Sequence, residues 1–388
     1  MFRNIIILVM ALILCPLSTA GIQHKQKALN ALEYFSSDYT EARKKFLDAA
    51  GDIDAKIESF KNPNTGPIGE PLYTDVALIG SEDAKDILVL ISGTHGVEGF
   101  AGSGIQTGLL HEDIAANLKP DMSIVMIHAN NPYGFAHLRR FNEDSIDLNR
   151  NFLDHSQPHP VNHGYKDLLD AINPKSISLW VDIKSRFDLL WYRLKEGKTS
   201  LREVISRGQY EYPQGLFYGG QFETWSNKTI REIANRYLST AERVVVIDFH
   251  TGLGLFGHGE IILNELEESP SYKRAVEWWG ERVRTTVSNE SVSVHIKGPL
   301  KLAIPDMLPN AEVTAVSLEF GTYPPKKVFW DLRAENWLHH YGGKEHPKAK
   351  QIKADLLHAF YPEEDEWKSQ VWEQGKEVVR QVLVEISR

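Results

Sequence analysis

The chain has 388 residues, of which 42% are hydrophobic and 24% charged, with a formal net charge of −9. This is the composition of a globular protein and excludes disordered and collagen-like classes. The acidic balance, with no Lys/Arg-rich stretch interleaved with aromatics, argues against a nucleic-acid partner and leaves a small molecule or peptide as the expected substrate.

At the N-terminus Arg3 precedes the apolar run IIILVMALILCPL, and Ser18-Thr19-Ala20 supplies a small-x-small cleavage site before Gly21, so residues 1–20 read as a signal peptide. The run is shorter than the roughly 20 residues that span a bilayer, and no second span follows. The mature chain is therefore expected to be exported, periplasmic or secreted, with no permanent membrane span. Cys15 is the one cysteine and leaves with the signal. That removes disulfides, cysteine nucleophiles and thiolate metal sites, so histidines and carboxylates remain as the strong ligands.

From residue 86 onward short apolar runs bounded by turn residues predict buried strands: DILVLISG at 86–93, MSIVMIHA at 122–129, RVVVIDFH at 243–250, GEIILN at 259–264, VSVHIKG at 292–298 and VTAVSLEF at 313–320. Between them helical patterns cover 100–111, 222–237 and 272–287. The alternation predicts an α/β fold, a three-layer α/β/α sandwich with a mixed, mostly parallel sheet. The region at about 153–240 reads as a helical insertion, most polar over 153–206 and broken early by Pro158, Pro160 and Pro174. Trp367, Val371, Val378, Val379, Val382, Leu383 and Ile386 fall at near-helical spacing, so an amphipathic helix closes the chain. With no repeat and no flexible linker, residues 21–388 form a single domain in this reading.

In an open α/β sheet ligands gather where strands end. His95 and Glu98 follow the first apolar run, His250 ends the third, and Glu319 stands at the end of the last. A metal ion that activates water takes three protein ligands and keeps one position open, and two imidazoles with one carboxylate is a zinc ligand set. His95, Glu98 and His250 supply it, for one Zn2+ ion. Glu319 is the candidate base that takes the proton of the attacking water and returns it to the leaving amine. Asp248, two residues before His250 on the same strand face, is either a partner that orients a ligand histidine or an ordinary buried acid. The stretch RRFNEDSIDLNRNF offers Arg139, Arg140 and Arg150, with Asn142 and Asn149, for gripping negative charge on the substrate.

Two rival motifs fail on context. Gly252, Gly254 and Gly257 spell GxGxxG after a strand, but a further strand pattern follows where a dinucleotide site needs a helix. Ser103 has Ala101 where a GxSxG elbow needs its first glycine.

The ordered set HxxE (His95, Glu98), NPxG at 131–134, RxN (Arg140, Asn142), DLNRNF at 147–152, a strand-terminal His250 and a strand-terminal Glu319 resembles the zinc carboxypeptidase superfamily. It is similar also to the aspartoacylase and succinylglutamate desuccinylase branch, and most of all to the DUF2817 family with its HGVEGF. The resemblance runs from about residue 91 to 323. It implies zinc on His95, Glu98 and His250, Glu319 as base and proton shuttle, Arg140 polarising the scissile carbonyl, and Asn149 with Arg150 holding a substrate carboxylate. Two departures stand out: Gly96-Val97 where the carboxypeptidases often carry an arginine, and no tyrosine between Tyr272 and Tyr323, where they place one shortly before the base. The expected activity is hydrolysis of an amide bond next to a carboxylate-bearing residue in a peptide or cell-wall peptide. An N-acyl amino acid deacylase is the alternative, and a non-catalytic binding protein on the same fold is the second.

The signal reading has a direct check. N-terminal sequencing of the chain recovered from an exporting host should begin at Gly21; a product that begins at residue 1 and stays with the cells would exclude it.

Overall fold

The computed structural model describes residues 30–288 and 291–387; the signal peptide expected over residues 1–20 lies outside the described residues. Among these, eight strands build one sheet: β1 (Lys56–Thr65), β2 (Pro71–Gly80), β3 (Asp86–Ile91), β4 (Met122–His128), β5 (Arg243–Phe256), β6 (Gly259–Leu263), β7 (Val283–Thr285) and β8 (Glu312–Gly321). Their order is β1-β2-β4-β3-β5-β8-β6-β7. The central strands β4, β3, β5 and β8 run parallel, and β2 and β6 flank them antiparallel.

Side chains alternate across this sheet with period two, and that alternation assigns every central residue to one of two cores. Leu88, Leu90, Val245, Ile247, Val316 and Leu318 face the helices Tyr39–Asp52, Gly99–His111 and Asp365–Ile386. Ile87, Val89, Val244, Val246 and Ala315 face the opposite way, onto Ile230 and Ile233 of the helix Trp225–Tyr237 and Leu300 and Ile304 of the helix Leu300–Met307. Both faces are covered, which is why the central strands read as continuous apolar runs. The architecture is the expected three-layer α/β/α sandwich. The face of Val244 and Val246 also carries Asp248 and His250, and the face of Ala315 carries Ser317 and Glu319.

Three local expectations differ from the structure. VSVHIKG at 292–298 forms no strand: Val292, Val294 and Ile296 line a cavity instead of a sheet, and the Glu260 carboxylate holds the segment through the Ser291 hydroxyl and the Val292 amide. The helix expected over 272–287 stops at Trp279, because Gly280 takes a left-handed φ of 63°, and Val283–Thr285 then pairs with β6. Two strands also precede residue 86. β1 is a polar edge strand interrupted around Pro63, and β2 carries Thr74 and Asp75 in mid-strand, so neither shows an uninterrupted apolar run.

Within the expected insertion at 153–240, the helices Leu179–Glu196 and Lys198–Ser206 cover the His250 end of the sheet, whereas Trp225–Tyr237 packs on the sheet itself. Trp180, Phe187, Trp191 and Leu194 lie exposed on the first of these helices, a more apolar surface than the composition of the segment implied. No helix among the described residues is long and apolar enough to cross a membrane.

Ser103, the serine of the rejected elbow, is buried in the helix Gly99–His111, with its hydroxyl 2.9 Å from Nε2 of His128. His128 is itself fully buried and stacks on Phe46 at 4.7 Å. Burial pushes its pKa down to about 4, so the folded protein holds the ring neutral. The unfolded chain takes up this proton first as pH falls, so stability is fully present above pH ~6.5 and declines toward pH 4, by roughly 3 kcal/mol from this group. Urea unfolding at pH 7 and 4.5 should show a smaller decline for His128→Asn than for the wild type. Equal declines would exclude the assignment.

Candidate metal centre

The site begins where β3 runs out. Gly93 turns the chain with a left-handed φ of 68°, and His95 then opens a single 3-10 turn, Gly96–Glu98, that leads into the helix Gly99–His111. The turn is pinned by backbone hydrogen bonds from Gly96 and Val97 to the carbonyls of Arg140 and Arg139. β5 brings His250 alongside, and in the β5–β8 register His250 pairs with Glu319 and Asp248 with Ser317. The ends of three parallel strands thus carry the four residues to one place.

His95, Glu98 and His250 are each at least 95% buried, and one ligand atom from each lies within 4.8 Å of the others. Glu98 is the centre of the group. Its Oε1 lies 3.0 Å from Nδ1 of His95, and its Oε2 lies 3.0 Å from Nδ1 of His250. The far nitrogen of each ring meets an aspartate: His95 Nε2 is 3.2 Å from Asp147 Oδ1, and His250 Nε2 is 2.8 Å from Asp248 Oδ2. The aspartate at each far nitrogen orients its ring so that both Nδ1 atoms face the centre, an arrangement typical of metal-ligating histidines. Arg140 Nη2 also reaches His95 Nε2, at 2.9 Å, so that nitrogen is shared between a guanidinium and a carboxylate.

The residues present fit a metal ion. His95 Nδ1 is buried and, although 3.0 Å from Glu98 Oε1, is not aligned for a hydrogen bond with it, a costly state for a polar atom that a metal ion would relieve. Two imidazoles and a carboxylate, with no thiol among the donors, suit zinc. Electrostatics agree. Burial pushes the His250 ring down, but Asp248 and Glu98 outweigh it and raise its pKa to about 10, so the carboxylates draw positive charge into this space.

Burial also pushes Glu98 upward, yet His95 and Arg140 hold it below the usual carboxylate range. Arg140 donates to Glu98 Oε1 at 2.6 Å and to Asp147 Oδ2 at 3.0 Å. Asp147 is wholly buried and held well below its ordinary range, against the pull of burial, by Arg140 and Arg150. Glu319 goes the other way: burial and the Glu98 charge lift its pKa to about 7, and its Oε1 accepts from the Leu253 amide at 3.0 Å, leaving Oε2 unused.

Seven of the ten residues singled out in the sequence, His95, Glu98, Arg140, Asn149, Arg150, His250 and Glu319, line one cavity of about 900 Å³. Asn149 places its Nδ2 3.4 Å from His250 Nε2, while its Oδ1 accepts from Leu300. The Arg150 guanidinium donates to the carbonyls of Ser206, Arg207 and Asn149, which occupies much of its fork. Phe217 lies between the two guanidinium groups, 5.5 Å from Arg140 and 5.6 Å from Arg150.

Arg139 and Asn142 stand apart from the cavity. Arg139 pairs with buried Glu335, and Asn142 caps the turn before Ile146. Asp147, which meets His95 and Arg140, is the candidate-site residue that the sequence reading left without a role. Its signal was local: it caps the short turn that presents Asn149 and Arg150, through the Asn149 amide at 3.0 Å.

Residues 35–374 match the family described as "Protein of unknown function (DUF2817)". The chain belongs to the DUF2817 family. No curated protein matches it. Among solved structures this DUF2817 chain is similar to carboxypeptidase A from Helicoverpa armigera, at 12% identity and TM-score 0.46, over 84% of this chain and 75% of that one. It is similar also to bovine thrombin-activatable fibrinolysis inhibitor, at 11% and 0.44 over 89% and 98%. A third is a metallo-carboxypeptidase from Pseudomonas aeruginosa, at 13% and 0.41 over 88% and 71%.

The two departures in the DUF2817 chain have physical reasons. Gly96 packs so tightly that a Cβ there would lie 2.0 Å from the carbonyl carbon of Gly134 and 2.2 Å from the Phe135 nitrogen, so no side chain fits. Val97 is fully buried in an apolar cluster with Phe141, Phe217 and Phe360, where an arginine would lack a partner. Among the described residues no tyrosine lines the cavity. Because the atoms facing Gly96 are backbone, Gly96→Ala should displace the turn that carries His95 and Glu98. The expected cost is at least the roughly 1–3 kcal/mol typical of overpacking, together with weakened metal retention. A variant that melts with the wild type and keeps its metal would contradict this close approach.

Proposed function

We propose that this chain is an exported zinc-dependent hydrolase that cleaves an amide bond next to a carboxylate-bearing residue, with a peptide or cell-wall peptide as substrate. The observation that carries this reading is the shared cavity: a His-Glu-His group with an orphaned Nδ1, a raised carboxyl at Glu319 and buried guanidinium groups all open on the same space. His95, Glu98 and His250 would hold the ion, which when bound supplies Lewis acidity to a carbonyl and to water.

The chain's own groups do the rest. Glu319 takes the proton of the attacking water on Oε2, since Oε1 is tied to the Leu253 amide. As the carbon–nitrogen bond breaks, the same carboxyl delivers that proton to the departing amine, a shuttle for which a pKa near neutrality is suited. Arg140, fixed between Glu98 and Asp147, keeps a guanidinium at the cavity wall where negative charge develops on the attacked oxygen. Asp147 and Asp248 hold the two ligand rings with Nδ1 facing the centre. Apolar walls from Leu201, Ile205, Val294 and Phe329 exclude water and accept substrate side chains.

The test uses the purified mature chain and a panel of N-blocked dipeptides. Near-equimolar zinc is expected after mild purification, with hydrolysis lost on chelation and restored by zinc. Glu319→Gln should retain its metal while kcat falls by about 10²-fold or more. Hydrolysis that survives chelation, or a Glu319→Gln variant within about twofold of wild type, would exclude the reading.

A further inference from the structure

The far wall of the cavity holds a group of donors that the catalytic reading does not use. Lys301, at the start of the helix Leu300–Met307, is 92% buried and donates to one acceptor, the Ile262 carbonyl at 2.8 Å. An ammonium has three protons to place, so two remain. Ile262 pairs with Ser317 in the β6–β8 register, which brings Lys301, Ser317 and Asn264, two residues further along, to the same wall. Asn264 is 93% buried, and its Nδ2 has no hydrogen-bond partner.

The carboxylates that influence Lys301 are Asp248, Glu319, Glu260 and Glu265, and none forms an ion pair with it. Each is engaged elsewhere: Asp248 with His250 and Thr94, Glu319 with the Leu253 amide, Glu260 with Ser291 and Val292, and Glu265 with the Ser271 hydroxyl. Burial without a counter-ion lowers the Lys301 pKa to about 8. A buried cation and a buried amide donor, both short of acceptors, together call for an anion with two oxygens.

The wider cavity agrees. Eight Arg and Lys side chains line it against two carboxylates, Glu98 and Glu319, in a chain of net charge −9. Arg186, Arg193, Lys198 and Lys326 have no carboxylate partner among the described residues, so the entrance attracts anions.

We propose that Lys301, with Asn264 and Ser317, forms a specificity pocket for a second carboxylate, so that the residue released by this enzyme is acidic, of the aspartate or glutamate class. This rests on the amide-hydrolase reading. Peptides alike except for a terminal Glu, Leu or Lys are compared on the zinc-loaded enzyme, beside Lys301→Met and Lys301→Arg. The wild type should favour the Glu substrate by roughly 30-fold or more in kcat/KM, the scale of one buried charge pair. Lys301→Met should lose that preference through KM for the Glu substrate alone, leave the Leu substrate within about twofold, and be rescued by Lys301→Arg. A wild type indifferent to terminal charge, or a Lys301→Met that slows all substrates alike, overturns the pocket while the hydrolase reading stands. An independent arm measures melting temperature with glutarate against glutaramide, a readout that needs no hydrolysis. A glutarate-specific rise in the wild type that Lys301→Met abolishes supports the pocket even where no peptide is cleaved, and no difference between the two ligands overturns it.

Discussion

The Glu98 carboxylate is a charge placed at the ends of three parallel strands with almost no access to water, and much of the surrounding structure answers that condition. Two imidazole Nδ1 atoms, a guanidinium and the Thr251 amide at 3.1 Å all converge on it. Each of these would be costly to bury alone, and each is therefore tied to a further partner: His95 to Asp147, His250 to Asp248, Arg140 to Asp147. Asp147 in turn needs Arg140 and Arg150, and Asp248 takes the Thr94 hydroxyl at 2.9 Å. The result is a closed network in which moving one charge leaves another uncompensated. That is the rigidity a metal-binding group requires, and it explains why the turn at Gly96 packs backbone on backbone with no room for a Cβ.

How far this could be read from the sequence depended on which physical constraint acts at each position. The central strands were legible because both their faces are buried, which leaves an unbroken apolar run. The meeting of His95, Glu98, His250 and Glu319 at one cavity was legible because each stands where such a run ends. β1 and β2 were not, since one is a polar edge and the other interrupts its apolar run at Asp75, which the Arg43 guanidinium holds by a bidentate pair of 2.7 and 2.9 Å. VSVHIKG has the period of a strand but spends its apolar side chains on the cavity wall, a choice that tertiary context alone makes. Lys301 and Asn264 were illegible for a related reason: one lies in a helix, the other just beyond a strand end, and they meet at one wall only through the Lys301 bond to the Ile262 carbonyl on β6.

The segment between β4 and β5 supplies what the sheet itself lacks. A bare strand-end site would be open to solvent on the His250 face, where each charge pair would be screened and weak. The helices Leu179–Glu196 and Lys198–Ser206, with Phe217 from the following loop, roof that face and convert a row of strand ends into a cavity of about 900 Å³. They also bring Arg186, Arg193, Lys198 and Arg202 to its wall. The roof therefore sets both the dielectric of the site and the sign of the charge it favours, while the sheet sets the positions of His95, Glu98, His250 and Glu319.

Two buried histidines show how the sheet separates structure from chemistry. His128 ends β4 and faces the helical layer, where it meets a serine hydroxyl and a phenylalanine ring; burial outweighs the Asp75 charge and the ring is neutral across the physiological range. His250 lies on β5 on the opposite face, equally buried, but between two carboxylates that reverse the effect of burial. A Ser–His contact of 2.9 Å and a His–Asp contact of 2.8 Å look alike as distances. What distinguishes them is whether carboxylates outweigh the effect of burial and whether a cavity reaches the ring. His250 satisfies both conditions and His128 neither, so residue type and burial alone do not set the charge or the access of a histidine in this fold; the carboxylates around it and the volume beside it do.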